Sequence, residues 1–234
     1  MILSINTSSF AFSLALFSKD GNVLANYELS KGDRNFNPLL ASFDFIITSG
    51  GFKVKDLQGI IVACGPGSFT GLRLGLAFAK GLCHGLDIPI IGVSTMEAMA
   101  NQFYCPDRLI TPVLDSRKEE LFTAQFRWNR RSGLERTRDD ESINIFDLPK
   151  YLKSPAVFIG NNFTKQVEIL RQSFGPKAHM APAHCWGLKS ITTGSIGLKR
   201  FNAKDFDDPD ILEPCYLNPP DIRVNKYLSL NHQS

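Results

Sequence analysis

Apolar positions in the first hundred residues fall into short runs, and each run is closed by turn-forming residues. Met1 to Ile5 reads as a strand and Phe10 to Phe17 as a second. Lys19-Asp20-Gly21-Asn22 carries the Asp-Gly signal of a tight hairpin, and Val23 to Leu29 returns as a third strand. A polar loop, Ser30 to Asn35, leads to Asn37-Pro38, where proline suits the first position of a helix. The period then changes: Leu39, Leu40, Phe43, Ile46 and Ile47 recur at helical spacing, up to a stop at Gly50-Gly51. Ile60 to Cys64 is strand-like, 71–84 helical, and Ile88 to Val93 strand-like again. Ser94 and Glu97 have the spacing of a capping box and predict a third helix to about Phe103. A hairpin followed by alternating strands and helices implies a mixed sheet with helices on its faces.

Cys105-Pro106-Asp107 marks an expected domain boundary, giving residues 1–105 and 106–234. Beyond it Leu109 to Leu114, Leu121 to Trp128 and Ala156 to Gly160 read as strands, and Thr164 to Phe174 and Leu188 to Phe201 as helices. The tail, Asp207 to Ser234, is rich in proline and asparagine and is expected to wrap as an extended arm. No internal repeat is visible as a motif.

The most informative run is Gly65-Pro66-Gly67-Ser68-Phe69-Thr70-Gly71-Leu72-Arg73, between a strand and a helix. Gly65, Gly67 and Gly71 permit a tight turn, and Ser68 or Thr70 is placed to cap the helix. Such a turn invites a phosphate reading. Its spacing fits neither the Walker loop, which needs Gly-Lys-Ser/Thr, nor the Gly-x-Gly-x-x-Gly dinucleotide turn. A structural turn is the preferred reading.

With 43% hydrophobic residues in 234, the chain can bury a real core. The net charge of +3 is too small to declare a nucleic-acid binder. It is carried wholly by residues 106–234, since 1–105 are balanced. The densest basic stretch is Arg127, Arg130, Arg131, Arg136 and Arg138; with Asp139, Asp140 and Glu141 directly after it, it reads as a solvated hairpin. Cys64, Cys83, Cys105, Cys185 and Cys215 form no C-x-x-C pair, so neither a disulfide framework nor a zinc site is indicated. Cys64 and Cys83 lie in apolar runs and are expected to be buried. No signal peptide and no membrane span is expected, which points to a reduced, cytoplasmic setting.

Taken in order, Ile5-Asn6-Thr7-Ser8, the nine-residue glycine motif, Lys80-Gly81-Leu82, Ile91-Gly92-Val93-Ser94, Asp115-Ser116-Arg117 and Tyr216-Leu217 resemble the TsaB family. The similarity is dense over residues 1–125 and thin afterwards. It implies an α/β, two-domain ASKHA (actin-like ATPase/ribonuclease H-like) fold with a mixed five-stranded sheet flanked by helices. It further implies a non-catalytic subunit in bacterial tRNA threonylcarbamoyladenosine synthesis. Its partners would be a TsaD-like catalytic paralogue and a TsaE-like ATPase, with homodimers through the same helices and tRNA reached through the complex. No cofactor is implied for this chain. Two departures stand out. The loop after the first strand usually begins with aspartate, which in kinase-like relatives helps hold a metal–nucleotide; here it is Asn6, a poorer cation ligand. A His-Ser pair often found at the entry to the first helix is Phe36-Asn37 here.

The competing class is an ASKHA enzyme in its own right, a metallopeptidase or an ATP-dependent kinase. His179 and His184 are separated by a proline that argues against one helical face. Asp115 stands at an expected strand end but is read as capping its own turn. Ser68 has no evident histidine partner. The second helix carries an apolar arc wider than one sheet face requires: Leu72, Leu76, Ala79 and Cys83 face one way, Leu74 and Phe78 far around. Phe45 stands opposite the apolar face of the first helix. Phe45, Leu74 and Phe78, rimmed by Arg73 and Lys80, are therefore the expected helix-on-helix interface. The alternative is that Leu74 and Phe78 pack inside the monomer. Gly71, Gly75 and Ala79, spaced by four, are expected to let a second helix approach.

Overall fold

In a computed structural model the described residues are 1–9, 11–29, 39–117, 119–152, 155–175 and 178–218. The expected loop Ser30 to Asn35, the helix start Asn37-Pro38, the Phe36-Asn37 departure, Phe10 and the last part of the tail lie outside them.

The first sheet contains β1 (Ile2–Asn6), β2 (Phe12–Phe17), β3 (Val23–Leu29), β4 (Gly59–Gly65) and β5 (Ile90–Ser94). Their order is β3-β2-β1-β4-β5; β1 is antiparallel to β2 and parallel to β4. Ile60, Ile61, Val62 and Ala63 of β4 are wholly buried. An unbroken apolar run is what a central strand covered on both faces demands. On one face lie α1 (Leu39–Ser49) and α2 (Phe69–Leu86), sharing a core with Leu3, Ile5, Leu14 and Ile60.

The second sheet contains β6 (Leu109–Asp115), β7 (Glu120–Asn129), β8 (Gly133–Asn144), β9 (Ala156–Gly160) and the two-residue β10 (His179–Met180). Its order is β10-β9-β6-β7-β8, with β6 antiparallel to β7 and parallel to β9. This is the first sheet's topology repeated, strand for strand. The repeat extends to the helices: α3 (Thr95–Asn101) follows β5, while α4 (Leu148–Tyr151), α5 (Phe163–Phe174) and α6 (Ser190–Asn202) belong to the second half. The duplication is one of connectivity, and no motif in the sequence announces it. β8 shows why: it is an edge strand whose charges, Glu135 to Glu141, suit an unpaired edge but hide the period of two. The basic stretch expected to be a solvated hairpin is the β7–β8 hairpin.

The third helix of each half lies between the sheets. α3 touches β6, β7, β8 and β9 as well as its own β4 and β5. α6, the last of the described helices, packs on β1, β2, β4 and β5 of the first sheet. Gly194 sits against the Phe17 ring, and Gly197 against Ile61. Polar bonds fix this helix: Ser4 Oγ donates to Ser190 O at 2.7 Å, and Ser190 N donates to Ser13 Oγ at 2.8 Å.

After α6 the chain becomes a strap. Asp207 N donates to Ile90 O at 3.0 Å on the β5 edge, and Arg200 holds both Asp205 and Asp207. Leu212 lies on Gly92, and Cys215 N donates to Cys64 O at 2.7 Å. Asn218 Nδ2 ends the strap on the second lobe, donating to Glu120 Oε2 at 3.0 Å and Ser142 Oγ at 3.1 Å. The described part of the expected C-terminal arm thus binds both lobes.

Candidate functional site

Two features collect the residues singled out in the sequence: the cleft between the lobes and the outer side of α1 and α2.

The cleft has a volume of about 450 Å³. Equivalent corners of the two halves build it, Ser8, Gly67 and Ser68 from the first and Asp115, Arg117 and Asn161 from the second, with Tyr216 of the strap also in its lining. The glycine turn is held by the β1–β2 loop beside it. Ser68 N donates to Ser8 O at 2.7 Å, and Ser68 Oγ accepts from Gly71 N at 3.3 Å, so Ser68 is the α2 cap. Thr70 lies exposed in the first turn. Gly65 has φ +118°, where a side chain is strained, and lies against the backbone of Cys215. A Cβ on Gly71 would stand 2.0 Å from Thr7 O. The motif's glycines thus bring α2 against β1, and Gly67, beside Ser8 O, belongs to the same contact. The structural reading of the turn accounts for each of them.

Asn6 ends β1, two residues before the cleft-lining Ser8, and is completely buried. Its Nδ2 donates to Leu188 O at 2.7 Å; its Oδ1 accepts from Ser8 N at 3.1 Å and Ser8 Oγ at 2.7 Å. Both ends of the amide are therefore occupied. Asp115 ends β6 in the corresponding place. Its Oδ1 accepts from Gln166 Nε2 at 2.9 Å and its Oδ2 from Lys165 Nζ at 3.4 Å, while Asp115 N donates to Asn161 Oδ1 at 3.1 Å. Asp115 is thereby bound to the start of α5, the helix that follows its parallel neighbour β9. Among the described residues no group of three or more His, Cys, Asp or Glu side chains is placed to hold a metal ion. Burial pushes the Cys64 and Cys83 thiols up to about 11, and burial also raises that of Cys215.

On α2 the inner stripe is Leu72, Gly75, Leu76, Ala79 and Cys83. This corrects the expectation for Gly71, Gly75 and Ala79. Gly75 faces the Thr7 side chain, and Ala79 is in the core, so these small residues admit β1 rather than a second chain's helix. Leu74 and Phe78 are half-buried at the seam with α1, where Phe78 meets Phe43 edge-on at 5.2 Å. Phe45 is 58% exposed, with its ring 6.1 Å from Tyr27 of β3. Arg73 is exposed but anchored: its guanidinium lies 3.8 Å over the Phe69 ring and its Nε donates to Tyr216 OH at 2.9 Å. Lys80 is half-buried. The fully outward line is Arg73, Ala77, Gly81 and His84, with open space around Gly81. Periodicity missed Phe69 and Tyr216, which join this surface to the cleft. Nothing in the spacing of a single sequence foretells that residue 216 returns to residue 73.

Two duplicated lobes with a cleft at their matching corners define an ASKHA-type α/β protein. A family model described as "TsaD: tRNA N6-adenosine threonylcarbamoyltransferase" matches residues 34–196. The tRNA threonylcarbamoyladenosine biosynthesis protein TsaB of Bacillus subtilis is 30% identical over 185 residues, 78% of this chain and 80% of that one. Its Escherichia coli namesake is 35% identical over 127 residues, 53% of this chain and 54% of that one. The chain belongs to the TsaB family. Among solved structures, YeaZ from Pseudomonas aeruginosa superposes with a TM-score of 0.73 at 17% identity, covering 92% of this chain and 99% of that one. A second Pseudomonas aeruginosa structure, titled as similar to peptidase YeaZ, reaches 0.74 at 17% identity over 93% and 99% of the chains. At that identity the two structures speak for the fold.

Proposed function

We propose that this chain is a non-catalytic subunit of a cytoplasmic tRNA threonylcarbamoyladenosine synthesis complex. In it the chain binds and activates a TsaD-like catalytic paralogue, with a TsaE-like ATPase as third member. The observation that carries the non-catalytic reading is Asn6. Where kinase-like relatives keep a charged cation ligand, this chain has a buried neutral amide with both ends spent on Leu188 and Ser8. A peptidase or kinase reading would need that position free.

In this reading residues 1–105 carry the partner surface on α1 and α2, the same helices serving a homodimer. Phe45 is the apolar anchor, Leu74 and Phe78 line the seam, and Arg73 and Lys80 form its rim. Open backbone at Gly81 supports close approach of a partner helix. Phe78→Asp alone does not isolate the interface, because Phe78 also packs on Phe43. Phe45→Asp disturbs the monomer less, giving up a surface contact with Tyr27, and it is expected to weaken association with the paralogue at least ~10-fold, about 1.4 kcal/mol, while Tyr27→Ala, which removes the same contact and keeps Phe45, should leave association largely intact. The function itself is tested by reconstitution: the paralogue with TsaE should modify the adenosine beside the tRNA anticodon only when this chain is added. Tight binding of Mg-ATP by the isolated chain, with no gain of activity in the mixture, would favour the enzyme class instead.

A further inference from the structure

Seven arginines of the second half fall into two groups, with Arg117 in the cleft and Arg171 on α5 standing apart. Arg136 is paired with Asp140, Arg138 with Glu141, and Arg200 with Asp205 and Asp207. Arg108, Arg127, Arg130 and Arg131 are different: among the described residues no hydrogen bond, ion pair or ring contact engages any of their guanidinium groups. All four lie at one end of the second sheet. Arg108 and Arg127 line the same shallow hollow, with Pro106, Asp107 and Pro155. Arg130 and Arg131 occupy the β7–β8 turn just beyond, and both are exposed.

Two carboxylates lie nearby, Asp107 in the hollow and Glu135 across from Arg127. Glu135 is already engaged. Its Oε1 accepts from Asn129 Nδ2 at 3.0 Å and from Ser132 Oγ, while Asn129 Oδ1 accepts from Arg131 N at 2.9 Å. The acid therefore braces the turn without forming an ion pair; with Asp107 it offsets part of the arginines' charge, and four guanidinium groups against two carboxylates leave this end of the sheet net positive. On the neighbouring edge, Tyr104 is 62% exposed, its ring held edge-on to Trp128 at 5.1 Å.

The geometry points to a docking surface for the phosphodiester backbone of RNA, built by Arg108, Arg127, Arg130 and Arg131, with Tyr104 as a stacking platform for an unpaired base. Guanidinium groups fork onto phosphate oxygens, and an exposed ring accepts any base. An anionic membrane fits less well, because the turn (Asn129 to Gly133) offers no apolar side chain to bury among lipids. This surface belongs to the chain itself and adds to whatever contact the catalytic paralogue makes. It draws on the tRNA-modification reading only for the identity of the RNA.

The test is equilibrium binding of unmodified tRNA to the full-length chain, alone and with its paralogue, across a salt series. Arg127→Gln/Arg130→Gln/Arg131→Gln is expected to bind about tenfold more weakly near ~0.1 M salt and to lose about 2 to 3 from the slope of log K against log salt. The triple Arg→Lys variant should keep the slope, and Lys19→Gln/Lys55→Gln, which removes two exposed charges from the first lobe, should bind as the parent does. Unchanged affinity and slope in the triple Gln variant, or an equal loss in the Lys control, overturns the surface. So does stronger retention by phosphatidylserine vesicles or polyglutamate than by tRNA. Reconstituted modification activity is read separately, so its failure would strike the assembly reading and leave the binding result standing.

Discussion

The side-chain amide of Asn6 joins the end of the first strand to the backbone carbonyl of Leu188 at 2.7 Å, 182 residues along the chain. The bond demands a donor, and aspartate offers none when ionised. Asn6→Asp therefore sets a carboxylate against a carbonyl in a fully buried place. It is expected to cost about 2 kcal/mol, the penalty of unsatisfied buried polar groups. Protonation restores a donor, so the deficit should narrow as pH falls. Thermal melts of the two proteins from neutral to acid pH check this.

Two glycines of α2 should respond in opposite directions to the same methyl group. On Gly75 it meets Thr7 Oγ1 at 2.1 Å, and Gly75→Ala should destabilise by about 1–3 kcal/mol. On Gly81 nothing lies within 4 Å. Gly81→Ala should stabilise the isolated chain by about 0.5–1 kcal/mol through helix propensity. Urea titrations of both variants give the sign directly.

Asp207 closes the strap onto β5: Oδ2 accepts from Gly92 N at 2.7 Å, and both oxygens meet Arg200. Asp207→Ala leaves that N–H and part of the Arg200 charge unanswered, and should cost about 2 kcal/mol. Proteolysis should then cut first within residues 205–218, read by mass spectrometry of the fragments.

Burial lifts the Cys83 thiol from its ordinary 9.0 to about 11. A raised folded value means that the neutral thiol's contribution is complete below about pH 9 and is lost as pH rises through about 11. Cys83→Ala should therefore flatten part of the alkaline fall in stability. Under native conditions at pH 8, a disulfide reagent should label Cys215, which is exposed, well before Cys83, which is 3% exposed.

Local patterns gave β3 and β9 residue for residue and every other strand of the first sheet to within two residues. Strong alternation, Asp-Gly at the hairpin and serine caps are signals written within a few residues. β8 escaped because an edge strand is allowed to be polar, and β10 because two residues hold no period. The glycine motif was legible as a turn. What the glycines are close to was not, since Thr7 is more than sixty positions from Gly71. Asn6 was noticed as a departure, but its partner is a carbonyl, and a carbonyl has no residue type to find. For the same reason Gly71, Gly75 and Ala79 looked like an open stripe. Period alone assigns residues to a face of a helix without saying which face turns inward.

The placement of α6 bears on how the protein comes into being. The first sheet is synthesised before residue 100, yet the cover over Ile2, Phe17 and Ile61 is supplied by a helix that ends at Asn202. A nascent chain halted midway holds a half-clad sandwich with those side chains facing water. The two halves, alike in plan, are thus not modules that mature one after the other. They are obliged to complete each other, which calls for one calorimetric transition rather than two and makes the emergence of α6 the moment of commitment.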